Sequence, residues 1–162
     1  QRKLCKTCFV RWFEKKFLYT IRKFGMIQRG DVLVIKGEED FRKKVLKNLL
    51  KILEKKGVIK LKNKGNKIAI TSTLNSSARE MVETLIKRNQ KDLKNLKPVE
   101  GKIIKPLYLF LDEEILIYAR IKKIKFKKTK EKKNKIKKFL DELEIKHPEV
   151  KRAVVNSYLN LR

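Results

Sequence analysis

Three features of the sequence predict an α/β fold. Val32–Ile35 is a run of four apolar residues, the pattern of a strand buried on both faces of a parallel sheet. A short loop follows, and then an amphipathic helical pattern begins at Phe41. Strand-like and helix-like segments go on alternating to about residue 121, as layered α/β domains require. Hydrophobic residues make up 41% of the 162 positions, enough for one core and a tail.

From Phe9 to Phe24, apolar residues recur at spacings of three and four, predicting a helix that stops at Gly25. Gly30-Asp31 reads as a turn into the Val32–Ile35 strand. Phe41, Val45, Leu46, Leu49, Leu50, Ile52 and Leu53 mark a helix that ends at Gly57. Val58–Leu61 and Lys67–Thr71 are strand-like around Asn63-Lys64-Gly65-Asn66. A link this short predicts an antiparallel hairpin, or a first run lying outside the main sheet. Thr71–Ser77 is a polar loop rich in N-cap residues, leading into a helix through Met81 and Leu85. Residues 92–101 read as a connector, and Lys102–Leu107 as a strand closed by Pro106. Asp112-Glu113-Glu114 opens another helix, with acid where the dipole favours it. After a Lys-rich run over 122–138 come a helix around Phe139–Leu143 and a last one entered at Pro148.

The net charge is +27, from 45 Lys and Arg against 18 Asp and Glu. Such a surface repels itself, and a polyanionic partner, nucleic acid above all, accounts for it. The candidate phosphate contacts are Lys122, Lys123, Lys125, Lys127, Lys128, Lys130, Lys132 and Lys133. No aromatic residues interleave the Lys-rich run enough to suggest base stacking there. No apolar run approaches the length of a membrane span and no signal peptide is visible, so a cytoplasmic protein without a membrane partner is expected.

The loop Lys36-Gly37-Glu38-Glu39-Asp40 sits where α/β folds cradle phosphate. A cradle needs bare backbone N–H groups, hence several glycines, and here Gly37 stands alone. The carboxylates read more simply as partners of the helix dipole. Cys5 and Cys8 form a Cys-x-x-Cys pair, half of a tetrahedral zinc site. A free or redox-active pair is the alternative. His147 reads as a helix-entry residue. No Ser/His/Asp or Cys/His nucleophile set can be assembled.

Several segments in order resemble the PP-loop tRNA 2-thiouridine synthetases. They are Leu4-Cys5-Lys6-Thr7-Cys8-Phe9, Phe13-Glu14-Lys15-Lys16, Thr20-Ile21-Arg22-Lys23 and Gly30-Asp31. Lys36–Phe41 falls where that family has Ser-Gly-Gly-Lys-Asp-Ser, and Gly37 and Asp40 match. Ala69–Ala78 falls at its second loop, with Ser72 for the His and Asn75 and Ser76 for acids. Lys105-Pro106-Leu107, Glu114, Tyr118-Ala119, Phe126, Glu144 and His147-Pro148 continue the likeness.

The resemblance implies a reduced PP-loop ATPase-like sheet flanked by helices, with a helical C-terminal tail. It divides the chain into a zinc-ribbon remnant (1–25), a degenerate PP-loop-like domain (26–126) and a basic tail (127–162). Because both loops depart from the pattern and no Cys follows Cys8, it implies a pseudoenzyme. Such a chain would be a non-catalytic subunit of a tRNA wobble-uridine thiolation complex, binding tRNA and scaffolding a catalytic PP-loop thiolase paralogue. Zinc at Cys5 and Cys8, completed from outside the sequence, is then expected, and ATP and an Fe–S cluster are not. The alternatives are a divergent tRNA thiolase enzyme and a winged-helix-like nucleic-acid binder, the latter suggested by a helix followed by a hairpin.

Overall fold

The computed structural model describes residues 4–87, 96–127 and 134–160. Its centre is a five-stranded sheet in the order β2-β1-β3-β5-β4. The strands are β1 (Val32–Lys36), β2 (Lys60–Leu61), β3 (Lys67–Ile70), β4 (Val99–Glu100) and β5 (Ile103–Ile104). All neighbours are parallel except the edge pair β4–β5. Six helices are present among the described residues: α1 (Lys6–Lys23), α2 (Phe41–Lys55), α3 (Leu74–Ile86), α4 (Asp112–Ile121), α5 (Lys135–Lys146) and α6 (Val150–Asn160).

The link between β2 and β3 overturns the hairpin expectation. The two strands flank β1 on opposite sides and both run parallel to it. Leu61 and Lys67 both sit level with Leu33. The chain therefore has no strand length to climb back along, and needs only to step sideways past the start of β1. Two strand spacings are about 10 Å, within the reach of five residues. The step is close: a Cβ on Gly65 would lie 2.2 Å from the Val32 carbonyl oxygen. Asn66 Oδ1 accepts from Val32 N at 2.8 Å, and its amide donates to Asp31 at 3.0 Å. Asp31 also accepts from Lys67 and from Gln28 N. Burial pushes its carboxyl up, but these hydrogen bonds outweigh that and hold it below the usual carboxylate range. With both strands inside the sheet, the winged-helix alternative falls.

Leu33, Ala69 and Ile104 point into the main core, where α1, α2 and α4 bring Phe13, Phe17, Leu46, Leu50 and Tyr118. Val32, Val34, Ile68, Ile70 and Ile103 alternate with them and stay half-buried. The strand is thus closed on one face, not both. The short step at 62–66 carries no helix to lay over the other. A second cluster joins α3, α5 and α6 through Leu74, Met81, Tyr108, Leu140 and Val155.

The expected strand at 102–107 shrinks to Ile103–Ile104, because Pro106 has no N–H to give to a ladder. Val99–Glu100, inside the expected connector, turns back through Gly101 to pair with it. Helix α4 ends in a Schellman motif: Ile124 N donates to Ala119 O and Lys123 N to Arg120 O. Lys123 takes the left-handed position at φ 52.

Candidate functional site

The site forms at the carboxyl edge of the sheet. Strand order reverses between β1 and β3, and such a reversal opens the crevice where α/β sheets take ligands. The loop 37–40 leaves β1 there, and 71–73 leaves β3. The two loops touch. Gly37 has φ 143, and a Cβ on it would lie 2.3 Å from Thr71 Oγ1. Gly37→Ala is therefore expected to cost about 1–3 kcal/mol. Thr71→Ala in the same chain should restore part of it, since the nearest clash is with the hydroxyl. Urea unfolding of the single and double variants checks this, and equal midpoints for both would contradict the contact.

Asp40 is 2% exposed and caps α2, accepting from Arg42 N at 2.9 Å and Lys43 N at 3.1 Å. Its other oxygen meets the Arg42 guanidinium at 3.0 Å. Glu39 pairs with Lys43 and, at 3.2 Å, with Lys44. These cations, Lys43 first, pull its carboxyl below the usual value. The loop is thus not a bare negative patch. The basic first turn of α2 neutralises Glu39 and Asp40. Lys36, at the end of β1, and Glu38, within the loop, are exposed.

Three helix N-termini meet here. Thr73 caps α3 in a reciprocal box, with Thr73 N donating to Ser76 Oγ at 2.8 Å and Ser76 N to Thr73 Oγ1 at 3.4 Å. Ser72 Oγ lies 3.1 Å from Ser76 Oγ and 3.2 Å from Ser77 Oγ. Arg42 reaches across to α4, its Nε 3.0 Å from Asp112 Oδ1. Asp112 N donates to Asn75 Oδ1 at 3.0 Å. At the start of α4, Leu111 N donates to Glu114. The N-termini of α2, α3 and α4 are therefore each occupied by the chain's own side chains. A phosphate at α2 would have to displace the Asp40 carboxylate from two amides. The crevice is lined by the Ser72, Ser76 and Ser77 hydroxyls and by an Arg42 guanidinium already paired with Asp40 and Asp112. Lys105 is 4% exposed at the end of β5, and burial lowers its pKa against the pull of Glu80 and Glu100.

Arg42 and Asp112 were not singled out as site residues by the sequence reading, while Asn75 and Lys105 entered it only through the family resemblance. Asp112 carried a visible signal, an acid at a helix start. Its pairing with a residue 70 positions away did not.

The other candidates lie elsewhere. Cys5 and Cys8 are exposed at the start of α1. Cys8 N donates to Cys5 Sγ at 3.3 Å, and this backbone hydrogen bond lowers the Cys5 thiol. The Cys8 thiol is raised, first by its hydrogen bond to Cys5. Among the described residues no three His, Cys, Asp or Glu side chains gather into a metal site. The expected zinc site is corrected accordingly. Lys122, Lys123, Lys125 and Lys127 are exposed, with Lys122 3.4 Å from Glu14. Lys128, Lys130, Lys132 and Lys133 lie outside the described residues. No described helix is long and apolar enough to cross a membrane.

No protein-family model matches the chain, and no curated protein matches it in sequence. Among solved structures it is similar to the U34-tRNA thiolase NcsA from Methanococcus maripaludis with its [4Fe-4S] cluster. The TM-score is 0.78 at 17% identity, covering 99% of this chain and 80% of that one. This likeness corrects two expectations. The chain whose fold this one shares is an enzyme, against the reading of a non-enzyme, and it carries a cluster, against the reading that none belongs here. In the present chain the thiols are two, Cys5 and Cys8, short of the four that hold a [4Fe-4S] cluster. By themselves they do not fit that group. What the likeness establishes is the architecture: the chain has a PP-loop tRNA-thiolase-like fold, a mostly parallel five-stranded sheet flanked by helices with a helical C-terminus.

Proposed function

We propose that this chain works in tRNA thiolation and holds the tRNA through its basic surface. The observation that carries the reading is the fold likeness to a U34-tRNA thiolase over 99% of the chain. The net charge of +27 supports it, since neutralising phosphates is the plainest use for such an excess. Lys123, Lys125 and Lys127 stand exposed just after α4 and are the contacts we assign to the tRNA backbone. Lysine here positions the nucleic acid without reading its sequence.

The test is a titration of the chain with tRNA over a range of salt. Log affinity should fall steeply with log salt, by about 0.9 for each phosphate neutralised on duplex regions. Replacing Lys123, Lys125 and Lys127 together by Ala should flatten that slope. Absence of binding, or an affinity indifferent to salt, would overturn the proposal.

A further inference from the structure

Helix α1 turns two different faces outward and inward. Phe13, Phe17, Thr20 and Ile21 are buried. On the opposite side Trp12 is 37% and Tyr19 52% exposed. Arg11, Lys15 and Arg22 are exposed around them. Cys8, Arg11, Trp12, Lys15, Lys16 and Tyr19 line a shallow open concavity of about 580 Å³. Lys16 pairs with Glu114 at 2.7 Å while its Nζ lies 4.9 Å over the Trp12 ring, so the cations free to face outward are Arg11, Lys15, Arg22 and Lys23.

Trp12 and Tyr19 are seven residues apart, on the same side of the helix and about 10.5 Å apart along its axis. That is three times the about 3.4 Å rise between stacked bases. Phe9 backs the Trp12 ring, with centroids 5.4 Å apart, and Lys23 Nζ lies 5.8 Å from the Tyr19 centroid. Lys122 pairs with Glu14 on the flank of α1 and lies 5.8 Å from the Tyr118 ring, which places the basic run after α4 beside this helix. Aromatic faces alternating with cations form a single-strand binding platform, in which bases stack and phosphates find positive charge.

We infer that the outer face of α1 binds an unpaired stretch of RNA, with bases stacked on Trp12 and Tyr19 and phosphates held by Arg11, Lys15 and Arg22. Duplex phosphates fall to Lys123, Lys125 and Lys127. The inference rests on the proposed function and adds where the unpaired part of the tRNA lies. Charge complementarity selects RNA over a second copy of this chain, which would set these cations against their like.

Trp12 is the single tryptophan of the chain, so its emission reports on this face alone. The full chain is titrated with a short oligouridylate and with an RNA duplex of the same length. The oligouridylate should quench Trp12 and the duplex should bind without quenching. Tyr19→Ala should weaken oligouridylate binding about ten-fold and leave duplex binding unchanged. Oligouridylate binding without quenching, or at full strength in Tyr19→Ala, would overturn the inference while leaving tRNA binding intact. An emission change that tracks protein concentration without RNA would assign the face to self-association and overturn it as well. Failure of every RNA to bind would sink the proposed function too.

Discussion

Replacing Glu114 by Ala is expected to lower the stability of the chain by about 3–5 kcal/mol. Glu114 is the point where α1, α4 and α6 are tied together. It accepts from Lys16 at 2.7 Å, from Arg152 at 2.9 Å and from the Leu111 N–H at 3.0 Å. The Lys16 and Glu114 side chains are each 13% exposed. Burial pulls the Lys16 pKa down, and Glu114 is the main force opposing it. Without the carboxylate, a buried ammonium keeps its desolvation cost and loses its partner. Glu114→Gln keeps the shape and one acceptor, so it should lose less. The sign with pH follows. In Glu114→Ala, Lys16 gives up its proton more readily folded than unfolded, so the deficit shrinks as pH rises toward the lysine range. Urea midpoints for the three chains, at neutral and alkaline pH, check both statements. A loss below 1 kcal/mol would show that the tie is not structural.

Phe13→Ala is expected to cost about 3–5 kcal/mol as well, by a different route. Phe13 is fully buried. Its ring stacks on Tyr118 with centroids 4.3 Å apart and lies 4.5 Å from Phe110. Deleting it leaves a cavity between α1 and α4, which the flat face of Tyr118 cannot fill because its hydroxyl is held 2.9 Å from Glu14. Phe13→Leu keeps most of the volume and should cost less than half as much. Thermal unfolding of both variants decides. Equal losses would mean that ring stacking, not volume, dominates.

How much of this was legible in the sequence depended on the range of the interaction. The inward face of α1 followed from the spacing of Phe13, Phe17 and Ile21. Strand β1 and helix α2 followed from the run at 32–35 and the apolar positions after Phe41. The parallel placement of β2 and β3 did not. The rule that short links make hairpins assumes strands long enough to need a return path, and β2 is two residues long. Strand β4 was hidden for the same reason. Gly37 and Asp40 were legible as site residues because glycine and a capping acid at a loop carry local signals. The Arg42–Asp112 pair was not, since it forms only once α2 and α4 pack side by side. The partners of Glu39 could have been read from Lys43, four residues on.

The part proposed for this chain is in tRNA thiolation. The most direct measurement is nucleoside analysis, by mass spectrometry, of tRNA from source cells with and without this chain. The account predicts that thiolated uridine falls sharply when the chain is removed. It should return with the intact chain and fail to return with one lacking the exposed lysines Lys123, Lys125 and Lys127. Unchanged thiolated uridine in cells without the chain would contradict it.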